Sequence, residues 1–98
     1  MEKRFYHRAN FTGSVLVNGS LVCQGSNLSE DGIYIDTDQP FALESHVMVE
    51  FSVGDRKFIS KAVVKSVNAS GAGLNFLGLS GKEREFIGNY VEETVKAA

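Results

Sequence analysis

The 98-residue sequence predicts a mainly-β domain, a six-stranded antiparallel barrel followed by one C-terminal α-helix. Three observations lead there. From Phe11 to Leu77 short apolar runs alternate with polar residues; Gly, Asn, Asp and Ser punctuate those runs; and past Leu79 the period changes from two to about 3.6. Six strands in about 65 residues, with no helical spacers, favour a closed or nearly closed barrel, because closure removes exposed sheet edges.

Residues 1–10, opening MEKRFYHR, read as an arm ahead of the barrel. The clearest local signal is Val15-Leu16-Val17-Asn18-Gly19-Ser20-Leu21-Val22. Asn-Gly accepts the positive φ values of a type I′ turn, whose twist matches the strands on either side, so this segment is a hairpin. Further strands are expected near 33–36, 46–53, 57–67 and 72–77. In the second of these, Val47, Val49, Phe51 and Val53 fall at every second position, while Glu50 and Ser52 face the other way. The run from Phe58 to Val67 is apolar at Ile59, Val63 and Val67 and also at Phe58, Ala62 and Val64, so both of its faces are expected to be partly covered. Ser80 followed by Glu83 is a capping-box pattern, and Phe86, Ile87, Tyr90, Val91 and Val95 share one helical face opposite Glu85, Glu92, Glu93 and Lys96. That face is expected to pack on the barrel; display to a partner or to another copy is the alternative.

Residues 1–98 are therefore expected to be one domain, with a mobile arm over 1–10, the barrel over 11–79 and the helix over 80–97. A composition of 43% hydrophobic and 22% charged residues fits one ordinary core. No run of about 18 apolar residues and no secretory signal is present, which makes membrane insertion unexpected and the cytoplasm the expected compartment. Cys23 is the sole cysteine, so no intrachain disulfide can form, and it is expected to be a small structural residue. N-x-S/T sequons begin at Asn10, Asn18, Asn27 and Asn68, and these are read as chance or turn chemistry.

The net charge of −2 hides an asymmetry: residues 1–8 carry +2 and the remaining 90 carry −4. A mildly acidic body repels a long polyphosphate, whereas a short basic arm can serve a small anion. Within the arm, Arg4 and Arg8 form an RxxxR segment. Extended, they face one way about 13 Å apart, a span suited to a ligand of dinucleotide size. A guanidinium can fork onto guanine O6 and N7, stack on the ring, or pair with phosphate, and lysine offers only the charge.

A second constellation, Asn27-Leu28-Ser29-Glu30-Asp31-Gly32, lies where one strand ends and the next begins. Asn and Ser stabilise turns through nearby backbone, and Gly supplies unusual φ. The Asn-x-Ser spacing would also set an amide and a hydroxyl side by side on one face of an extended segment. Elsewhere His7 and His46 lack partners at metal spacing, Asp36 and Asp38 sit in a solvated turn, and no nucleophile has a base in reach. Neither a metal site nor an enzyme is expected.

Taken together and in this order, about twenty residues apart, Arg4 and Arg8 with Asn27, Ser29 and Gly32 resemble the RxxxR and (D/N)xSxxG motifs of the PilZ family. The segment Gly71-Ala72-Gly73-Leu74-Asn75-Phe76 is similar to that family's glycine-containing last strand and adds Gly73 to the candidates. The resemblance implies a PilZ-type barrel whose N-terminal arm wraps the bacterial second messenger cyclic di-GMP against the barrel. The two arginines would engage guanine and phosphate, and Asn27, Ser29 and Gly32 would bind from the turn. Asn27 stands where an acid is commoner, which bears on affinity, since an amide donates as well as accepts. In relatives the residue before the first arginine helps set whether one ligand or an intercalated pair binds; here it is Lys3, which leans toward an extra phosphate contact. The implied function is a receptor that changes conformation on binding and signals to a downstream protein, acting as a monomer or homodimer without long nucleic acid. The rival readings are a PilZ-fold adaptor that binds no nucleotide and a small barrel for single-stranded nucleic acid. The second would need a basic groove lined by aromatic residues.

Overall fold

The structure, a computed structural model, describes residues 9–97. Its elements are β1 (Ala9–Val17), β2 (Leu21–Leu28), β3 (Gly32–Asp36), β4 (His46–Val53), β5 (Arg56–Asn68), β6 (Gly71–Phe76) and α1 (Gly81–Ala97). The strands close into an antiparallel barrel in the order β1-β2-β3-β6-β5-β4, which is the fold the sequence predicts. β1 begins at Ala9, two residues ahead of the expected barrel start, and the limits of β3 to β6 lie within one residue of expectation.

The first hairpin turn has Asn18 at φ 54° and Gly19 at φ 74°, both positive as a type I′ turn requires. Its tip is clasped to β4: the Asn18 N–H donates to the Met48 carbonyl at 2.8 Å, and Asn18 Oδ1 accepts from the Met48 N–H at 2.9 Å. Beside that clasp, the closing seam of the barrel pairs Leu16 with Glu50 and Val17 with Val49.

Alternation explains the core. Val15 and Val17, Ile33 and Ile35, Val47 to Val53 at every second residue, and Ala72, Leu74 and Phe76 all point inward and are buried. Phe51 sits at the centre, stacked on Phe58 at 5.6 Å and Phe76 at 5.3 Å, with the Phe11 ring edge-on at 6.5 Å. Burying each such ring contributes about 2–3 kcal/mol.

On β5 the two faces are covered unequally. Phe58, Ser60, Ala62 and Val64 are buried, whereas on the other face Val63 is half-buried and Ile59 is 56% and Val67 39% exposed. The reason is architectural, since a single-walled barrel has one interior and the helix reaches only part of the outside. Ser60 is tolerated inside because its hydroxyl donates to the Lys61 carbonyl at 2.8 Å and accepts from the Gly78 N–H at 3.1 Å.

The helix starts as its capping box dictates. The Ser80 N–H donates to Glu83 Oε1 at 2.9 Å and the Glu83 N–H to Ser80 Oγ at 3.1 Å. Ile87 and Val91 are fully buried, with Phe86 and Tyr90 packed beside them, so α1 lies on the barrel as expected. The Arg56 guanidinium stands 4.9 Å from the Phe86 ring centre and 5.6 Å from that of Phe58, pinning the helix to the start of β5.

Candidate functional site

The turn between β2 and β3 is built around one hydroxyl. The Ser29 N–H donates to the Gly32 carbonyl at 2.9 Å, and Ser29 Oγ accepts from the N–H groups of both Asp31 and Gly32 at 3.2 Å. Ser29 is 2% exposed. Its oxygen thus replaces the backbone acceptor that a tight chain reversal removes, and only its O–H is left to offer a ligand.

Gly32 is glycine for a reason other than the expected one. Its φ is not positive; instead a Cβ there would overlap the Leu74 carbonyl oxygen of β6. The close approach of two backbones, not an unusual dihedral, excludes a side chain.

The rest of the turn is braced from behind. The Asp31 carbonyl accepts from the Phe76 N–H at 2.9 Å, and Asp31 Oδ1 accepts from Arg84 Nη2 of α1 at 3.0 Å. Gly88 leaves room for Glu30, whose Oε1 would lie 3.2 Å from any Cβ added there. With Glu85 and Glu92, Glu30 gives the groove of about 550 Å³ beneath the turn a net acidic lining, three carboxylates against Arg84, which is itself paired with Asp31. That side repels a phosphate.

Asn27 faces the other way. β2 carries one extra residue relative to β3 at Ser26, and β1 carries one relative to β2 between Asn10 and Gly13. Such bulges re-aim side chains. Upstream, Cys23 and Gly25 are buried; past the bulge it is Leu28, so Asn27 turns to the outer face and is half-buried. The amide and hydroxyl expected side by side therefore occupy different settings, the amide on the barrel surface and the hydroxyl folded into its turn.

Register brings Gly73 to the same surface. Asn27 pairs with Asn10 on one side and Tyr34 on the other, Tyr34 pairs with Gly73, and Gly73 with Ser66 of β5. Asn27, Tyr34, Gly73 and Ser66 thus form one row across four strands. Tyr34 and Ser66 escaped the sequence reading, although the inward pair Ile33 and Ile35 already implies that Tyr34 points outward. Lys3, Arg4 and Arg8 lie outside the described residues.

Cys23 stays apart from this row. Burial pushes the Cys23 thiol up, partly offset by a hydrogen bond with Thr37, so the side chain stays a protonated inhabitant of the core. Among the described residues no three His, Cys, Asp or Glu side chains gather as metal ligands would, and no helix is long and apolar enough to cross a membrane.

The PilZ domain family model matches residues 2–93. The chain belongs to this family. PilZ domains are binding modules, and the family is one of cyclic di-GMP receptors. The barrel is similar to the structure of the Bacillus subtilis inhibitor of motility, MotI/DgrA, with a TM-score of 0.87 at 14% identity over 99% of this chain. The match covers 53% of that chain, so this PilZ domain spans about half of its length, and the likeness is one of fold. No curated protein matches the sequence.

Proposed function

We propose that this PilZ domain is a cyclic di-GMP receptor, that Arg4, Arg8, Asn27, Ser29 and Gly32 bind the ligand with Lys3 and Gly73 beside them, and that the bound state is read by a downstream protein. One observation carries the reading. β1 enters the barrel next to the motif turn, with Ala9 paired to Leu28 and Asn10 to Asn27, and Arg8 is the residue immediately before Ala9. The register thus supports a site shared by the two motifs that are about twenty residues apart in sequence.

Charge supports the same reading. Residues 1–8 carry +2, whereas the groove under the turn carries three glutamates, so the basic segment and not that groove suits a compact dianion. Ligand and arm would order together, and fixing each backbone residue costs about 1–2 kcal/mol, which the contacts must exceed. Binding is then itself the signal.

Titration calorimetry with cyclic di-GMP tests this. The parent domain is expected to bind, Arg8→Ala and Arg4→Ala to lose most of the heat, and Arg8→Lys to lose nearly as much because an ammonium can neither fork nor stack. Absence of heat in the parent, or equal heat in Arg8→Ala, would leave the chain as a PilZ-fold adaptor acting through protein contacts alone.

A further inference from the structure

Tyr34 is the one large side chain in the outer-face row that holds Asn27, and its surroundings are unusual. It leans across β6, where two glycines make space for it. A Cβ on Gly71 would come within 2.9 Å of its Cε2 and its hydroxyl, and one on Gly73 would meet Cδ1 at 3.9 Å. The phenol is tethered at its far end, donating to Asn68 Oδ1 at 2.9 Å. That same oxygen accepts from the Ser70 N–H at 2.9 Å and the Gly71 N–H at 3.0 Å, so it is fixed by the β5–β6 turn. The ring is therefore held flat along the sheet before any ligand arrives, covered by β6 on one side and half-exposed in total.

Its two edges are polar. Asn27 lies one strand away, about 5 Å between cross-strand Cβ atoms, and carries an amide that can both donate and accept. Ser66 lies on the far side of Gly73, its Oγ 2.6 Å from where a Cβ on that glycine would be. An immobilised aromatic face with a hydrogen-bonding amide at one edge and a hydroxyl at the other is what a planar heterocycle with polar edges requires.

We infer that Tyr34 is a base-stacking platform, on which one guanine of the ligand lies while Asn27 meets its polar edge. The assignment rests on the cyclic di-GMP reading above and deepens it, adding a recognition residue outside both motifs. It also gives Gly71 a role in the site, since a Cβ there would come within 2.9 Å of the ring and its hydroxyl. Three consecutive strand spacings separate Asn27 from Ser66, about 14 Å, so one base fits on the platform and leaves the second base and the phosphates to the arm.

The test is a cyclic di-GMP titration of the parent, Tyr34→Phe and Tyr34→Leu, with thermal melting of each. Loss of base stacking corresponds to about 5- to 150-fold weaker binding. Tyr34→Leu is expected to fall in that range, and Tyr34→Phe, which keeps the ring but not the tether, to weaken binding by no more than about 5-fold. A separate reporter uses the absence of tryptophan from the chain: Tyr34→Trp supplies a unique indole whose emission ligand should quench. If the parent binds and Tyr34→Leu binds equally, the platform is wrong while the receptor reading stands. If Tyr34→Phe loses as much as Tyr34→Leu, the tether and not the ring matters, and the platform is again wrong. If the parent does not bind, both readings fall together.

Discussion

The two turns that flank β2 are made from the same kinds of residue and work by different physics. At the β1–β2 end, Gly19 has φ 74° and nothing within 4 Å of where a Cβ would be. At the β2–β3 end, Gly32 has no positive φ, yet a Cβ there would collide with the Leu74 carbonyl. Asn18 points its amide oxygen outward to clasp another strand, whereas Ser29 is buried and turns its oxygen back on its own loop. The first turn is a conformational solution that many sequences could supply. The second is a packed object whose shape depends on β6 and α1, which hold it in one form.

This difference can be broken experimentally, beginning where the effect is largest. Gly32→Ala forces β3 and β6 apart and is expected to cost about 3 kcal/mol or more, read from denaturant midpoints at constant slope. Ser29→Ala leaves two turn N–H groups without their acceptor, one of them buried, and should cost about 2 kcal/mol as well as affinity. Gly19→Ala pays only the left-handed backbone term, about 1–2 kcal/mol. If Gly19→Ala proves costlier than Gly32→Ala, the steric account of Gly32 is wrong. Arg84→Ala removes a partly exposed ion pair with Asp31 and should change stability by less than about 1 kcal/mol, while loosening the turn enough to shift its amide resonances.

The strand joining the two turns offers the smallest and most gradual test. The folded Cys23 thiol titrates higher than its unfolded counterpart because burial disfavours the thiolate. A raised folded pKa gives stability that is fully present below the unfolded pKa and is lost as pH rises through the folded one. Denaturation midpoints should therefore hold through neutral pH and fall gently as pH rises past the ordinary thiol value of 9.0, and Cys23→Ala should flatten that slope.

Much of this was legible in the sequence because period-two patterning maps directly onto a one-sided sheet. Val47 to Val53 fixed the inward face of β4, Asn18-Gly19 a turn, and Ser80 with Glu83 a helix start. What escaped was register. The extra residue at Ser26 switches which side of β2 faces in, and nothing in a list of side chains marks that position. The β5 pattern showed two partly covered faces but not how unequally, because Ile59 and Val67 are apolar yet outward, a common outcome where polar surface is scarce. Asn27, Ser29 and Gly32 were singled out by their spacing. Tyr34 was missed because its importance comes from Gly71, Gly73 and Asn68, neighbours brought by pairing from over thirty residues away.

The narrow seam between β1 and β4 sets the order in which the barrel can come undone. Leu16, Val17 and the Asn18 clasp hold that join, whereas β4 and β5 are zipped along their whole shared length. Local opening follows the fewest protected amides, so the cylinder should uncurl at this join first and reclose there last. The clasp lies at the end of β1 opposite to Ala9, where the strand pairs with β2 beside the motif turn, so opening at Leu16 and Val17 leaves the pairing of Ala9 with Leu28 and of Asn10 with Asn27 in place.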